Sequence, residues 1–255
     1  MVVICGSIGD KLVDAMLARS RETKRDTVLL HEGELFSSCP FSFERRGQHA
    51  RGFLRIRARI VNLEEIESVV LRLPRLWWPA EGFDLQDQMF VYHETIASWY
   101  ALFESLHCSV LNRFGLGWWL QDGGYPIELR ARLARGLGLT VSNTGDDLVP
   151  ATLKPTPRDS AVGVESVYRA RGISVAAPGC GRDLAAYLVG VEEALWQWER
   201  ETGIALYRID FERNNGTRVK WVETYPLIEE EPTDVVTAVS TAALAGMMSM
   251  QQVTT

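Results

Sequence analysis

The first thirty residues alternate apolar runs with one amphipathic segment. Residues 2–5 and 27–30 are apolar and have the length of strands, and residues 10–19 between them carry apolar side chains at helical spacing. A strand, a helix and a second strand in this order predict a βαβ unit. We therefore expect an α/β protein that begins with a partly parallel sheet.

The pattern changes at residues 53–61, where apolar residues alternate with Arg55, Arg57 and Arg59. A period of two predicts a single strand that carries all three guanidinium groups on one face. The planar fork of arginine matches carboxylates and phosphates, so this face is a candidate for binding an acidic substrate. A solvated strand face is the alternative.

The remaining sequence predicts further helices and strands in mixed order. We expect helices at 88–107, 127–137, 183–201 and 234–250, and strands at 67–73, 109–112, 164–170, 173–177, 204–212 and 217–225. Residues 140–158 have little periodicity and contain several prolines and glycines, which is typical of a connection. We therefore predict two domains, residues 1–139 and 140–255.

Two carboxylates are predicted to approach each other across the last hairpin. If Asn215 and Gly216 form its two-residue turn, Asp210 lies opposite Trp221, and Glu223 shares the face of Asp210 as its diagonal neighbour. Diagonal Cα atoms are about 7–8 Å apart. Hard oxygen ligands at this separation suit Mg²⁺. An ordinary cross-strand ion-pair cluster with Arg208 is the alternative, and a one-residue slip would separate the two carboxylates.

Composition narrows the classes of partner. The net charge of −6 argues against a general nucleic-acid binder, which needs a basic surface. The four cysteines show no metal-ligand spacing. The N-terminus lacks the features of a signal peptide, and no run of 18 apolar residues predicts a membrane span. We expect a cytoplasmic protein without a nucleic-acid or membrane partner.

The order of these elements resembles the ATP-grasp superfamily, in particular its RimK-like and peptide-maturase branches. The resemblance rests on the segments VVICGSIGDKLVDAMLARS, TVLLHEGEL, LRLPRLWWP, QMFVYHETIASWYALFESL, CSVLNRF, YPIELRARLARGLGL and YRIDFERNNGTRVKWVETYP, in this order. It implies an N-terminal βαβ pre-ATP-grasp-like domain followed by a reduced ATP-grasp-like α+β lobe. No single motif in the series is specific, so the order carries the resemblance.

The resemblance also implies an activity and a set of site residues. Proteins of this superfamily activate a carboxylate as an acyl phosphate and join it to an amine, using ATP and Mg²⁺. The implied assignments are Asp210 and Glu223 as metal ligands, Lys154 and Arg208 facing the phosphates, and Arg55, Arg57, Arg72 and Arg75 receiving an acidic small molecule or peptide.

Departures from the superfamily pattern leave a second hypothesis open. Tyr225 replaces an asparagine that follows the second metal ligand, and Tyr125 replaces a lysine at the start of the middle helix. Residues 140–164 stand where relatives carry a longer ATP-clamping lobe, and Lys154 is the only lysine there. The chain could thus be a degenerate, non-catalytic accessory subunit. It would form a homodimer or bind a pathway enzyme through two tryptophan pairs, at 77–78 and 118–119.

Overall fold

A computed structural model describes residues 1–37, 41–46, 49–72, 84–112, 127–141, 164–202, 204–212, 217–223 and 231–245. The chain divides into two compact units, Met1–Phe114 and Gly115–Gly246. The helix at Ile127–Gly136 packs within the second unit, against the helix at Glu192–Thr202 and the strand at Arg218–Glu223. The predicted domain boundary between residues 139 and 140 stays a prediction.

The strands and helices of the described residues follow each other in this order: β1 (Val2–Gly6), α1 (Lys11–Glu22), β2 (Thr27–His31), α2 (Glu34–Ser37), β3 (Phe41–Arg46), β4 (His49–Ile56), β5 (Arg59–Asn62), β6 (Ser68–Leu71), α3 (Leu85–Ser105), β7 (Ser109–Leu111), α4 (Ile127–Gly136), β8 (Thr140–Val141), β9 (Val164–Ala170), β10 (Ile173–Ala176), α5 (Arg182–Gly190), α6 (Glu192–Thr202), β11 (Leu206–Glu212), β12 (Arg218–Glu223) and α7 (Thr233–Ala245). A short 3-10 helix, Leu63–Glu65, lies between β5 and β6.

The first unit contains a four-stranded parallel sheet in the order β2-β1-β6-β7. Strand β1 and most of β6 are fully buried, as their continuous apolar sequences require in a parallel sheet. Helix α1 connects β1 to β2, so the predicted βαβ unit is confirmed. Asp10 caps this helix, because its carboxylate accepts the backbone N–H groups of Leu12 and Val13.

A second, antiparallel sheet in the order β3-β4-β5 corrects the prediction for residues 53–61. The predicted single strand is a hairpin, in which Ile56 of β4 pairs with Arg59 of β5. Arg57 lies in the two-residue turn with a φ of 54°. The chain therefore reverses direction between Arg55 and Arg59, and the three arginines do not share one strand face.

Helix α3 is bound to the first unit by a buried tryptophan. The indole N–H of Trp99 donates to the carbonyl oxygen of Leu35 at 2.8 Å. Its ring lies 4.6 Å from that of Phe41 and 5.5 Å from that of Phe103, measured between centroids. Asp84 caps the start of the helix. The long helix predicted at 88–107 is confirmed, with its ends shifted by two or three residues.

The second unit is built on a five-stranded sheet in the order β10-β9-β11-β12-β8. Its strands are antiparallel except for the short β12–β8 pair. The predicted hairpin of β9 and β10 is confirmed. Its two turn residues, Arg171 and Gly172, both have a positive φ, as a tight hairpin of this kind requires.

One face of this sheet carries the apolar core of the unit. Alternate residues of β11, namely Tyr207, Ile209 and Phe211, are fully buried in a cluster with apolar residues of α4, α5 and α6. The single helix predicted at 183–201 is two helices, because α5 ends at Gly190 and α6 begins at Glu192. Helix α7 contacts β9 and β10.

The same core encloses one charged network. The guanidinium of Arg169 is fully buried and binds the carboxylates of Glu199, at 3.0 Å, and Glu192, at 2.9 Å. The hydroxyl of Tyr207 also donates to Glu199, at 3.0 Å. Burial raises the pKa of the Glu199 carboxyl despite the neighbouring Arg169. Ser174 accepts a further hydrogen bond from Arg169, at 2.8 Å.

A β-bulge divides the pairing of β11 with β12. Asp210 pairs with Trp221, as predicted, but Phe211 pairs with Val219, so Lys220 is an extra residue. The register near the turn is thus one residue away from the prediction, since Glu212 pairs with Arg218 and not with Val219. The bulge explains why Val219 and Val222, three residues apart, are both buried in the core.

Among the described residues, no helix is long and apolar enough to cross a membrane.

Candidate functional site

The face of the second sheet opposite the core is polar along β9 and β11. Arg208 and Asp210 alternate with the buried core residues of β11. In the register, Asp210 lies opposite Ser166 of β9, and Arg208 lies opposite Tyr168. Opposed residues of an antiparallel pair share a face, so these four side chains form one group. We call Ser166, Tyr168, Arg208 and Asp210, together with Glu231, the polar face.

The carboxylate of Asp210 is held by two neighbours. Arg208 approaches both of its oxygens, with Nε 3.0 Å from Oδ1 and Nη2 donating to Oδ2 at 3.2 Å. The hydroxyl of Ser166 donates to Oδ1 at 2.7 Å. The side chains of Arg208 and Asp210 are 18% and 14% exposed. The pair is thus largely withdrawn from water yet still reached by it.

A second carboxylate lies at the other end of the polar face. The hydroxyl of Tyr168 donates to Oε1 of Glu231 at 2.6 Å, and both residues are buried. Burial, and then this hydrogen bond, raise the pKa of the Tyr168 phenol. The neighbouring Arg208 opposes this shift in the pKa of the Tyr168 phenol. Arg208 thus lies between the two carboxylates along the sheet, because it contacts Asp210 and lies opposite Tyr168 in the register.

The structure tests the predicted pairing of the two metal-ligand candidates only at the level of the backbone. Glu223 lies opposite Arg208 in the register, which makes it the diagonal neighbour of Asp210, as predicted. The assignment of both residues as metal ligands stays a prediction. Lys154, Arg75 and the two tryptophan pairs lie outside the described residues.

The arginines predicted to bind substrate in the first unit are found in different surroundings. Arg57 binds Glu34 at 2.9 Å, and Arg59 binds Asp26 through two hydrogen bonds of 2.7 and 2.8 Å. Arg55 is exposed. A shallow groove of about 510 Å³ is lined by Thr27, Val28, Leu29, Ile56, Arg57, Ala58 and Arg59. Binding of a substrate by these arginines stays a prediction.

Arg72 is 1% exposed and has a partner within the fold. Its Nε lies 2.9 Å from the carboxylate of Asp10, the residue that caps α1. The guanidinium therefore stabilises the start of this helix. A role for Arg72 in binding substrate stays a prediction.

The fit of a divalent cation to the polar face depends on Arg208. Asp210 supplies the hard carboxylate oxygens that Mg²⁺ prefers. Both oxygens are engaged by the guanidinium of Arg208, however, so a metal ion fits at Asp210 only when this side chain has moved away. Within the described ranges, no three His, Cys, Asp or Glu residues are grouped as a metal site.

Three members of the polar face were not found by sequence reasoning. Ser166 and Tyr168 precede Asp210 by more than 40 residues, and Glu231 follows it by about 20. The alternation of Ser166, Tyr168 and Ala170 along β9 marks one face of that strand. Its register against β11, which joins Ser166 to Asp210, is not visible in a single sequence.

The fold itself is shared with solved structures of macrocyclases and of an ATP-grasp ligase. The structure of the macrocyclase MdnC bound with precursor peptide MdnA from Microcystis aeruginosa MRC superposes with a TM-score of 0.66 and 12% identity, over 96% of this chain and 100% of that chain. The ATP-grasp ligase PsnB, complexed with precursor peptide PsnA2 and AMPPNP, gives a TM-score of 0.62 at 12% identity, over 96% of this chain and 97% of that chain. This chain has an ATP-grasp-like fold.

A third structure supports the ATP-grasp-like fold. The macrocyclase MdnB from Microcystis aeruginosa MRC gives a TM-score of 0.64 at 14% identity, over 95% of this chain and 99% of that chain. No protein-family model matches the chain, and no curated protein sequence matches it. The predicted fold class, a βαβ domain followed by an α+β lobe, is confirmed.

Proposed function

We propose that this chain is an ATP-dependent carboxylate–amine ligase that acts on a peptide in a biosynthetic pathway. The observation that carries the proposal is the ATP-grasp-like fold, which matches peptide-modifying enzymes over nearly the whole length of both chains. The structures of those proteins contain precursor peptides and, for PsnB, the nucleotide AMPPNP. A peptide with an acidic side chain is the substrate class that agrees with this likeness.

The proposed metal ligands come from the two strands of the β11–β12 hairpin, Arg208 lies on β11, and the other proposed residues come from elsewhere in the chain. Asp210 and Glu223 would hold Mg²⁺, and Arg208 and Lys154 would face the phosphates. Magnesium, when bound, would neutralise negative charge on the nucleotide phosphates. Arg208 would orient an anionic group, because its fork binds carboxylates and phosphates through two parallel hydrogen bonds. Arg55, Arg57, Arg72 and Arg75 remain the candidates for the acidic substrate.

Two observations favour a second candidate, a non-catalytic accessory subunit. The carboxylate of Asp210 is bound on both oxygens by Arg208, and Tyr225 replaces an asparagine of the superfamily pattern. A chain that had lost nucleotide binding could retain its fold to bind a peptide, a second copy of itself or a pathway enzyme. The two candidates differ in one measurable property, which is binding of a nucleotide.

Isothermal titration calorimetry with ATP, ADP and AMPPNP in the presence of Mg²⁺ separates the candidates. The ligase proposal predicts saturable binding that is lost in Asp210→Asn. Glu193→Gln is the matched control, because Glu193 is an exposed carboxylate on α6, away from the polar face. A folded chain that binds none of the three nucleotides would exclude the ligase and leave the accessory subunit.

A further inference from the structure

The proposed function does not explain why a guanidinium already occupies the carboxylate of Asp210. This guanidinium belongs to Arg208, two residues away on the same strand. Its Nε and Nη2 each lie close to one carboxylate oxygen, at 3.0 and 3.2 Å. A divalent ion coordinated by Asp210 would need the same oxygens. The guanidinium and a metal ion therefore compete for one place.

Three properties of the pair favour the guanidinium. The planar guanidinium lies along the carboxylate, with Nη2 donating to Oδ2 at 3.2 Å and Nε 3.0 Å from Oδ1. Limited exposure of both side chains weakens screening by water, so the attraction is stronger than that of a surface pair. Neighbours surround each partner, since the Ser166 hydroxyl donates to Asp210 and Tyr168 lies opposite Arg208 in the register.

We propose that Arg208 is a built-in competitor for a divalent cation at Asp210, so that the cation is bound weakly until this guanidinium leaves the carboxylate. The proposal deepens the proposed function by adding a control on its metal site, and it rests on that function for its biological meaning. The proposal concerns only the binding of an ion to a carboxylate that a guanidinium also binds, so the test requires no nucleotide.

Manganese is a suitable probe, because it takes the same hard oxygen ligands as magnesium and its free ion is counted by electron paramagnetic resonance. Titration of the wild type should show weak binding of Mn²⁺. Arg208→Gln should bind Mn²⁺ at least about tenfold more tightly, since the change removes a unit positive charge within about 4 Å of the ion. The double variant Arg208→Gln with Asp210→Asn should lose this gain.

Two further variants make the result specific. Arg200→Gln removes an exposed arginine of α6 and should leave the affinity for Mn²⁺ unchanged. Arg208→Lys keeps the charge but loses the fork, and should bind Mn²⁺ with an intermediate affinity. This variant also provides a test if Arg208→Gln fails to fold, which circular dichroism would reveal.

Equal affinities of the wild type and Arg208→Gln would overturn the proposal, and so would a gain that persists when Asp210 is also replaced. These outcomes are distinct from failure of the proposed function. A tenfold gain in Mn²⁺ affinity in Arg208→Gln, in a chain that binds no nucleotide, would reject the ligase proposal and support competition by Arg208. Nucleotide binding without any gain in Mn²⁺ affinity would reject only the competition by Arg208.

Discussion

Replacing Glu199 with alanine should destabilise the second unit more than any exposed carboxylate would. The change removes the partner of Arg169, whose side chain is 0% exposed, and the acceptor of the Tyr207 hydroxyl. Breaking a buried ion pair by removing one partner costs about 3–5 kcal/mol. Glu192, which is 38% exposed, continues to bind Arg169. We therefore expect the lower end of the range, about 3 kcal/mol.

Urea denaturation followed by circular dichroism measures this cost. For a slope of about 1–3 kcal/mol per M, the midpoint should fall by about 1–3 M. Hydrogen-exchange mass spectrometry of peptides from β9 and α6 should locate the loss in the second unit. The matched control is Glu193→Ala, because the ion pair of Glu193 with Arg200 is exposed at both ends and contributes at most about 1 kcal/mol. Equal losses in the two variants would refute the reasoning.

Three further predictions follow from the same contacts. Burial raises the pKa of Glu199 above its ordinary value of 4.5, so the stability that the protonated carboxyl contributes is complete below that value and is lost as pH rises through the folded-state pKa. The stability of wild type relative to Glu199→Gln should therefore fall as pH rises above 4.5 in urea titrations, and a difference independent of pH would contradict this. Asp10→Ala should lower the free energy of unfolding by about 3 kcal/mol, since it removes both the cap of α1 and the carboxylate partner of buried Arg72. In the same assay, replacing the exposed Asp14 with alanine should lower it by less than about 0.5 kcal/mol. Gly172→Ala should lower stability by about 1–3 kcal/mol more than Gly179→Ala, because both glycines have a positive φ but only the Cβ at position 172 would meet the indole ring of Trp196. Equal thermal shifts would count against this.

The strand–helix–strand opening and the polar hairpin could be predicted from the sequence because their signals are local. Apolar runs of strand length predicted β1 and β2, and the alternation in β11 placed Arg208 and Asp210 on one face. The prediction failed where a local rule was broken. Arginine rarely adopts a positive φ, so the turn at Arg57 could not be foreseen, and an unbroken alternation was predicted instead.

The candidate site was only partly predictable for a different reason. Its members come from β9, β11 and the segment just before α7, and their contacts depend on pairing between distant segments. Sequence spacing therefore predicted Asp210 and its diagonal neighbour within one hairpin, but not the hydroxyls of Ser166 and Tyr168. The partner of Arg72 escaped for the same reason, since Asp10 precedes it by 62 residues.

The bulge at Lys220 lies between the turn of the β11–β12 hairpin and the paired positions of Arg208 and Asp210. One added residue on β12 shifts the register by one, so the pairing of Phe211 and Glu212 is offset from that of Asp210 with Trp221. A related chain could gain or lose a residue at the tip and compensate with such a bulge, while its acidic side chain kept the same orientation. The hairpin can therefore vary in length while the polar face is preserved.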